Sequence, residues 1–237
     1  MTTLLLRLAG PLQSWGTESR FTERDTGREP SKSGVIGLIC AALGRPRDAD
    51  ISDLVSLRMG VRVDQEGTLI RDFHTTKDIY RSDGGIKPTN VSNRYYLSDA
   101  SFLVGLQADS PRAEVLLNIT EKALRNPHWQ IFLGRKACLP SIPVWAKQCL
   151  YSGKTIEQMF VIHPCVRTRT SSRKELSAGK VRLRCVADAA PGAHSGVRTD
   201  LPLSFATREF IPRHIVTYYV ELNLELVKEL SVCSSLA

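Results

Sequence analysis

The segment Asp99–Asn126, DASFLVGLQADSPRAEVLLNITEKALRN, decides the class of fold, because it predicts a strand that leads at once into a helix. Its first part is a continuous apolar run of the length of a buried strand. Ser110 can cap the following helix, and Pro111 fits the first helical position. The apolar face that we expect this helix to pack against a sheet consists of Val115, Leu116, Ile119 and Leu124. A helix lying on a sheet directly after one of its strands indicates an α+β fold.

The same order of strand and helix occurs nearer the N-terminus. Thr2–Gly10, TTLLLRLAG, predicts a buried first strand. Gly34–Gly44, GVIGLICAALG, predicts a helix that ends at Gly44 and is capped by Ser31 or Ser33. The small residues of this helix predict close packing against a sheet, and they are Gly34, Gly37, Ala41 and Ala42.

Between these two units the sequence predicts a short helix, a hairpin and an insertion. The helix covers Ile51–Leu57, and the hairpin Arg58–Ile70 turns near Gln65–Gly67. The polar stretch Asp72–Tyr96 predicts the insertion. The resulting βαββαβ order is that of the ferredoxin-like (RRM-like) fold of RNA-recognition modules, which we expect as a palm over residues 1–150.

The remaining chain, 151–237, predicts a β-rich C-terminal part with basic loops. The strand candidates in and next to it are Pro143–Gly153, Gln158–Val166, Lys180–Ala187 and His214–Leu226. We expect Arg167–Lys180 and Asp188–Asp200 to be loops that order only on binding, or not at all.

Positive charge is concentrated in two parts of a chain whose formal net charge is +8. The window 110–154 has seven Lys and Arg against two Asp and Glu, and the window 164–215 has ten against four. Segregated positive charge is typical of nucleic-acid-binding proteins, although a solvated basic surface gives the same pattern.

Other sequence features argue against several functional classes. The six cysteines have no metal-site spacing, so we expect no metal and no cofactor. No window is apolar enough to span a membrane, and Arg7 interrupts the apolar run that a signal peptide would need. These features predict a cytoplasmic protein with reduced, buried thiols.

Two glycine-containing segments are candidates for phosphate binding. Lys32, Ser33 and Gly34 open the first predicted helix, where free backbone N–H groups attract anions. Gly134, Arg135 and Lys136 follow an apolar run in IFLGRKACLP. The alternatives are an ordinary helix cap with an exposed lysine and a plain turn between core strands.

Aromatic residues in polar segments suggest base stacking. Trp15, next to Gln13 in the loop after the first strand, could stack on a base or anchor its loop to the core. The insertion is flanked by interleaved cations and aromatics, namely Arg71, Phe73, His74, Lys77, Tyr80, Arg81, Arg94, Tyr95 and Tyr96. This combination suits single-stranded RNA, or a surface hairpin whose rings pack on each other.

Six motifs in chain order resemble one family. The chain from Leu4 to Phe210 resembles the CasD-type subunits of type I-E CRISPR Cascade complexes, which belong to the RAMP superfamily. The motifs that carry the resemblance are LLLRLAGPLQSWG, TGREPSKSGVIGLICAALG, RDFHT, YLSDASFLVGL, FLGRKACLP and FATREF. The resemblance implies a ferredoxin-like RAMP palm with an inserted β thumb at about 76–96 and a C-terminal extension. The motifs end at Phe210, after which we expect a strand and a helix, or partial disorder.

The resemblance also implies a structural, non-catalytic subunit of an antiviral ribonucleoprotein that caps and holds the 5′ handle of the CRISPR RNA. Its implied partners are the Cascade backbone subunit and the large subunit that reads the protospacer-adjacent motif, without homo-oligomers. Motifs and resemblance together assign RNA contacts to Gln13, Trp15, Arg28, Lys32, Ser33, Gly34, Arg71, His74, Arg81, Arg94, Tyr95, Gly134, Arg135, Lys136 and Arg208.

Two other functions remain open at this point. A metal-independent endoribonuclease that processes precursor CRISPR RNA could use His74 as a general base and Lys77 as the cation for the phosphorane. A protein–protein scaffold would need no RNA contact at all, and its positive charge would be incidental.

Overall fold

The computed structural model describes residues 1–18, 22–168, 173–190, 192–193 and 195–229. In chain order, the elements up to residue 125 are β1 (Thr2–Ala9), β2 (Leu12–Gln13), β3 (Glu23–Arg24), α1 (Lys32–Leu43), α2 (Ser52–Val55), β4 (Arg58–Gln65), β5 (Thr68–Tyr80), β6 (Ile86–Ser98), β7 (Ser101–Ala108) and α3 (Pro111–Arg125). They are followed by β8 (Trp145–Ser152), α4 (Ile156–Ile162), β9 (Cys165–Arg167), α5 (Arg173–Ala178), β10 (Lys180–Asp188), β11 (Gly196–Ser204), β12 (Glu209–Asn223), a 3₁₀ turn (Leu224–Leu226) and β13 (Val227–Glu229).

A seven-stranded sheet in the order β11-β12-β10-β4-β7-β1-β8 forms the centre of the molecule, and all its neighbours are antiparallel. Consecutive leucines of β1 point to opposite faces of the sheet and lie in two different cores. Leu4 packs in the cluster that includes α1 and α3, and Leu5 packs in the cluster that includes α4. Because both faces of the sheet are covered, the central strands β4 and β7 are buried at nearly every position instead of at alternate ones. The α+β class predicted from the sequence is confirmed.

The two long helices begin where the sequence predicts. Ser31 caps α1 by accepting from the N–H of Gly34, and Gly44 ends it with a φ of 71°. Ser110 caps α3, whose first residue is Pro111. The predicted apolar face of α3 is only half right, because Val115 and Ile119 are 59% and 51% exposed. The buried residues of α3 are Leu116, Leu117, Thr120 and Leu124.

The hairpin predicted over Arg58–Ile70 is wrong. β4 is a central strand that pairs with β7 and β10, whereas β5 pairs with β6, from Thr68↔Ser98 to Tyr80↔Ile86. The Gln65–Gly67 region therefore leads out of the sheet instead of reversing within it. The resulting β5–β6 hairpin spans Thr68–Ser98 and includes the residues 76–96 that we expected to form a thumb.

Three predictions for the C-terminal part need correction. Gln158–Val166 is mostly helix, because Thr155 and Gln158 form a capping box at the start of α4. Helix α5 lies within the predicted loop Arg167–Lys180, of which residues 169–172 fall outside the described part. The other predicted loop contains the start of β11 at Gly196. After Phe210 the chain continues in β12 and then β13, which pairs with β9, while 230–237 are outside the described residues.

Candidate nucleic-acid interface

A groove of about 780 Å³ runs along the exposed face of α1, and we call it the α1 groove. Its floor is the small-residue face of the helix, including Gly37 and Ala41. One wall is the glycine loop 134–136, and the other is the turn 205–208 between β11 and β12. A Cβ added at Gly37 would lie 3.7 Å from the ring of Phe205. Helix α1 packs against the sheet, as predicted, but through other residues such as Val35 and Ile39, whereas Gly37 and Ala41 line an open surface.

Three exposed cations surround the α1 groove: Arg47, Lys136 and Arg208. None of them has a carboxylate within ion-pair distance among the described residues, and no described residue lining this groove is acidic. Arg45 also lines it, but its guanidinium donates to both oxygens of Asp53 at 2.6 Å. The groove thus carries positive charge that the surrounding protein does not neutralise.

Aromatic rings stand beside these cations. Trp129 is 46% exposed and Phe210 is 39% exposed, while Phe132 and Phe205 are half-buried in the same groove. Exposed rings next to unpaired cations can stack on bases while the cations contact phosphates, a combination used for single-stranded RNA.

The glycine loop is held tightly against the chain that follows β1. Gly134 has a φ of 93°, and a Cβ there would lie 1.7 Å from the carbonyl oxygen of Ser14. The N–H of Ser14 donates to Leu133 O at 3.1 Å, and the N–H of Leu133 donates to Cys138 O at 2.7 Å. Gly134 is therefore needed for a close approach to the Ser14 backbone of the same chain.

Arg135 and Lys136 differ in what they contact. The guanidinium of Arg135 donates to the carbonyls of Tyr95 at 3.1 Å and Arg24 at 2.7 Å, and it lies 4.6 Å from the centre of the Tyr96 ring. These contacts orient the guanidinium of Arg135 but involve no carboxylate, so its charge is not neutralised and its phosphate contact stays a prediction. Lys136 is exposed and remains in the wall of the groove.

The phosphate site predicted at the start of α1 is occupied by the protein itself. Lys32 is buried, and its Nζ lies 3.0 Å from Asp188 Oδ2. The backbone N–H of Lys32 donates to Asp200 Oδ2 at 2.9 Å. Burial lowers the pKa of Lys32, and the charge of Asp188 opposes that shift. The prediction for Lys32 is therefore wrong, both as an exposed lysine and as a phosphate contact, whereas Ser33 and Gly34 do line the groove.

Gln13 and Trp15 are buried and cannot offer their side chains to RNA. Gln13 Nε2 donates to the carbonyls of Leu8 at 3.1 Å and Ala100 at 2.7 Å. Its Oε1 accepts from the indole Nε1 of Trp15 at 3.1 Å, which satisfies the polar end of a ring that packs in the core. Trp15 thus anchors its loop, and both residues are corrected from RNA contacts to structural residues.

The other predicted RNA contacts are dispersed. Ser33, Gly34, Gly134, Lys136 and Arg208 line the α1 groove, and Arg135 lies on its continuation. Arg28 is exposed in the loop before α1, and five predicted contacts lie on the β5–β6 hairpin without lining the groove: Arg71, His74, Arg81, Arg94 and Tyr95. The base of the hairpin is nevertheless tied to the groove, because Arg135 binds the carbonyl of Tyr95.

The two residues considered for endoribonuclease chemistry do not converge. His74 and Lys77 lie three positions apart on β5, where pairing with β6 is regular from Phe73↔Asn93 to Lys77↔Thr89. An odd separation along a regular strand places two side chains on opposite faces. Cys40 lies at the groove, but burial raises the pKa of its thiol to about 11, so it is not a thiolate at neutral pH.

Neither a metal site nor a membrane span is found among the described residues. No cluster of three or more His, Cys, Asp or Glu side chains could hold a metal ion there. No helix in the described part of the chain has the length and apolarity needed to cross a membrane.

Sequence reasoning missed five cations and rings of the groove as contacts: Arg47, Trp129, Phe132, Phe205 and Phe210. Arg47 stands in GRPR, three residues after Gly44, the glycine that ends α1, and basic residues at a helix end are a detectable signal. Phe205 and Phe210 stand on either side of Arg208 in FATREF, where alternating aromatic and basic residues also indicate a contact surface.

Comparison with known proteins places the chain in a family. A family model described as "CRISPR-associated protein (Cas_Cas5)" matches residues 3–215. The "CRISPR system Cascade subunit CasD" of Escherichia coli (strain K12) is 38% identical over 160 residues, which are 62% of this chain and 70% of that protein. A structure titled "Crystal structure of Cas protein" is 38% identical with a TM-score of 0.71, covering 96% of this chain and 98% of the other. A "CRISPR RNA-guided surveillance complex" contains a chain that is 31% identical with a TM-score of 0.77, covering 95% of this chain and 92% of the other. The chain therefore belongs to the CRISPR-associated Cas5 family.

Proposed function

We propose that this protein is the RNA-binding structural subunit of a Cascade-type CRISPR ribonucleoprotein, and that it caps and holds the 5′ handle of the CRISPR RNA along the α1 groove. The observation that carries the proposal is the set of unpaired cations Arg47, Lys136 and Arg208 beside exposed aromatic rings. The cations would bind phosphates of the handle, and the rings would stack on its unpaired bases.

The order of the strands supports a ferredoxin-like RAMP palm for this function. Within the sheet, β4-β7-β1-β8 are consecutive neighbours, with α1 connecting β1 to the β4 side and α3 connecting β7 to β8. This is the order expected of a βαββαβ unit. Residues 1–150 would be the palm, with the β5–β6 hairpin as its thumb. Residues 151–237 would extend the sheet at β4 through β10, β12 and β11.

The relatives support a multi-subunit setting. One relative is named as a Cascade subunit, and another chain is part of an RNA-guided surveillance complex. By analogy, the neighbours of this chain would be the backbone subunit and the large subunit that reads the protospacer-adjacent motif, in an antiviral assembly without homo-oligomers. Cys40, Cys138, Cys165 and Cys185 are buried and form no disulfide, which fits the reducing cytoplasm.

A non-catalytic role is favoured over the endoribonuclease alternative. His163 contacts Arg7, His128 packs against Trp129, and His214 bonds to Ser195, while His194 lies outside the described residues. None of the four described histidines named here, His74 included, lines the α1 groove. A general base would need to reach a ribose hydroxyl at the bound RNA, and no described histidine is placed for that in the groove.

The test is a titration of purified protein with labelled CRISPR repeat RNA without metal, with a denaturing gel run in parallel. We expect binding with intact RNA. Lys136→Glu combined with Arg208→Glu should weaken binding by about 10-fold or more, because charge-assisted phosphate contacts are lost. Arg112→Glu combined with Lys154→Glu makes the same charge change on exposed residues outside the groove and is the matched control.

The outcomes separate the three functions. Equal losses in the two double variants would exclude the α1 groove as the RNA site. Cleavage at one position would identify a nuclease. Failure of the wild-type protein to bind the RNA at low salt would favour the scaffold.

A further inference from the structure

We propose that Asp200 is a positioning residue for RNA binding, which holds the turn 205–208 at a set distance from α1 and thereby places Phe205 and Arg208 in the groove. The proposal rests on the proposed RNA-binding function. It concerns a residue that touches neither the groove nor RNA, since Asp200 is 1% exposed and does not line the groove.

A β-bulge directs Asp200 towards α1. The pairs Thr199↔Pro212 and Leu201↔Ile211 leave Asp200 as the extra residue between them on β11. Bulges reorient the side chain that they carry and bend their strand. The reoriented side chain reaches the first turn of α1, which is 168 positions away in the sequence.

The carboxylate of Asp200, on β11, binds two other elements, α1 and β12. Its Oδ2 accepts from the backbone N–H of Lys32, the first residue of α1, at 2.9 Å. Its Oδ1 accepts from Arg213 Nε on β12 at 2.6 Å, and Oδ2 accepts from Arg213 Nη2 at 3.0 Å. A carboxylate is favoured at a helix N-terminus, where the free N–H groups carry partial positive charge.

Asp188 completes a four-residue cluster, which we call the α1 cluster: Lys32, Asp188, Asp200 and Arg213. Asp188 Oδ2 accepts from Lys32 Nζ at 3.0 Å and from the backbone N–H of Met59 on β4 at 2.8 Å. Asp188 Oδ1 accepts from Arg213 Nη1. Two cations face two anions, so the cluster is internally neutral and ties β4 and α1 to β10, β11 and β12.

This arrangement fixes both strands that enter the groove wall. Asp200 stands five residues before Phe205 on β11, and Arg213 stands five residues after Arg208 on β12. Their mutual ion pair joins the two strands, and the Lys32 contacts join the pair to the helix that forms the groove floor. The α1 cluster therefore sets the distance between the floor at Gly37 and the wall at Phe205 and Arg208.

A second buried ion pair, in another part of the fold, provides the control that separates a positioning role of Asp200 from a general contribution to stability. Arg62 and Asp64 lie on β4 and are joined by two hydrogen bonds of 2.6 and 3.1 Å. Arg62 also donates to the carbonyls of Phe160 and His163, next to α4. This pair is as buried as Asp200 and does not line the groove, so Asp64→Asn is the matched control for the loss of a buried carboxylate.

The experiment measures the affinity of Asp200→Asn and Asp64→Asn for labelled CRISPR repeat RNA over a series of salt concentrations, at a temperature where both variants are folded by circular dichroism. Asp200→Asn should bind about fivefold or more weakly, with a log–log salt slope about 0.7 shallower, because the phosphate contact of Arg208 is lost. Asp64→Asn should keep the wild-type affinity and slope even if it melts at a lower temperature.

Arg213→Lys provides a second, milder variant if Asp200→Asn does not fold. A lysine keeps the charge of the cluster but cannot bond two carboxylates through a planar fork. It should shift affinity and slope in the same direction as Asp200→Asn. Wild-type affinity and slope in the folded cluster variants, or equal losses in Asp64→Asn, would overturn the positioning role. Absence of RNA binding by the wild-type protein would instead contradict the proposed function itself.

Discussion

The segments Ser31–Gly34 and Gly134–Lys136 look alike in the sequence but differ in the folded protein. Each joins a lysine to a glycine, and each was predicted to bind phosphate. In the first segment the lysine is buried against Asp188, and Asp200 occupies the helix N-terminus. In the second segment Lys136 remains exposed in the wall of the α1 groove.

The difference arises from residues far away in the chain. Asp188 and Asp200 are 156 and 168 positions from Lys32, so no local pattern around Lys32 reveals them. A basic residue is available to an anionic partner only if no carboxylate of the same chain reaches it first. With a net charge of +8, some cations must remain unmatched, and three of them meet at the groove.

The largest effect should come from Gly134→Ala, which tests whether the second segment needs its own rigid geometry. We expect a loss of at least about 4 kcal/mol in the free energy of unfolding, since the methyl group would overlap the Ser14 carbonyl at a positive φ. Chemical denaturation measures the loss. Gly153→Ala is the matched control, because its φ is also positive, at 69°, but no atom lies within 4 Å. A loss of only about 1 kcal/mol in both variants would mean that the cost comes from the positive φ alone and not from overlap with Ser14.

Lys32→Met and Lys136→Met compare the two lysines directly. Lys32→Met should cost about 3 kcal/mol in unfolding free energy, because it leaves Asp188 short of a buried partner. Lys136→Met should change stability by less than about 0.5 kcal/mol, as is usual for an exposed residue, and should weaken RNA binding. Denaturant titrations and RNA titrations of both variants measure the two effects. A stable Lys32→Met protein with impaired RNA binding would reverse the assignment.

The pH dependence of stability extends the comparison to His163, which lies beside the cations Arg7 and Arg62. Burial, with the charges of Arg7 and Arg62, lowers the pKa of His163 from 6.5 to about 4. The unfolded state therefore takes up a proton at a higher pH than the folded state does. Stability is complete above pH 6.5 and should fall by roughly 2 kcal/mol as the pH drops to about 5.

Denaturation midpoints across this pH range provide the measurement. His163→Gln should flatten the dependence, and His214→Gln, which removes an exposed histidine, should leave it intact. The same slope in His163→Gln as in the wild-type protein would assign the acid sensitivity to other groups.

Local signals predicted much of the fold, and remote contacts account for what they missed. The caps at Ser31 and Ser110 and the buried run of β1 depend on neighbouring residues, so the sequence showed them. The capping box of Thr155 and Gln158 was also readable but was outweighed by a short apolar run that suits helix and strand equally. The partners of β4, the exposure of Val115 and the neutralisation of Lys32 depend on tertiary packing, which a single sequence does not display.

The salt dependence of RNA affinity tests the central claim, that unpaired cations of the α1 groove bind RNA phosphates. Two triple variants are compared with the wild type. The groove variant combines Arg47→Met, Lys136→Met and Arg208→Met, and the control variant combines Arg112→Met, Lys122→Met and Lys154→Met. Both remove three exposed positive charges, but only the first removes them from the groove. The groove variant should bind more weakly, with a log–log slope shallower by about 2, at about 0.7 for each lost phosphate contact. The control should keep the wild-type slope; an unchanged slope in the groove variant would contradict the claim.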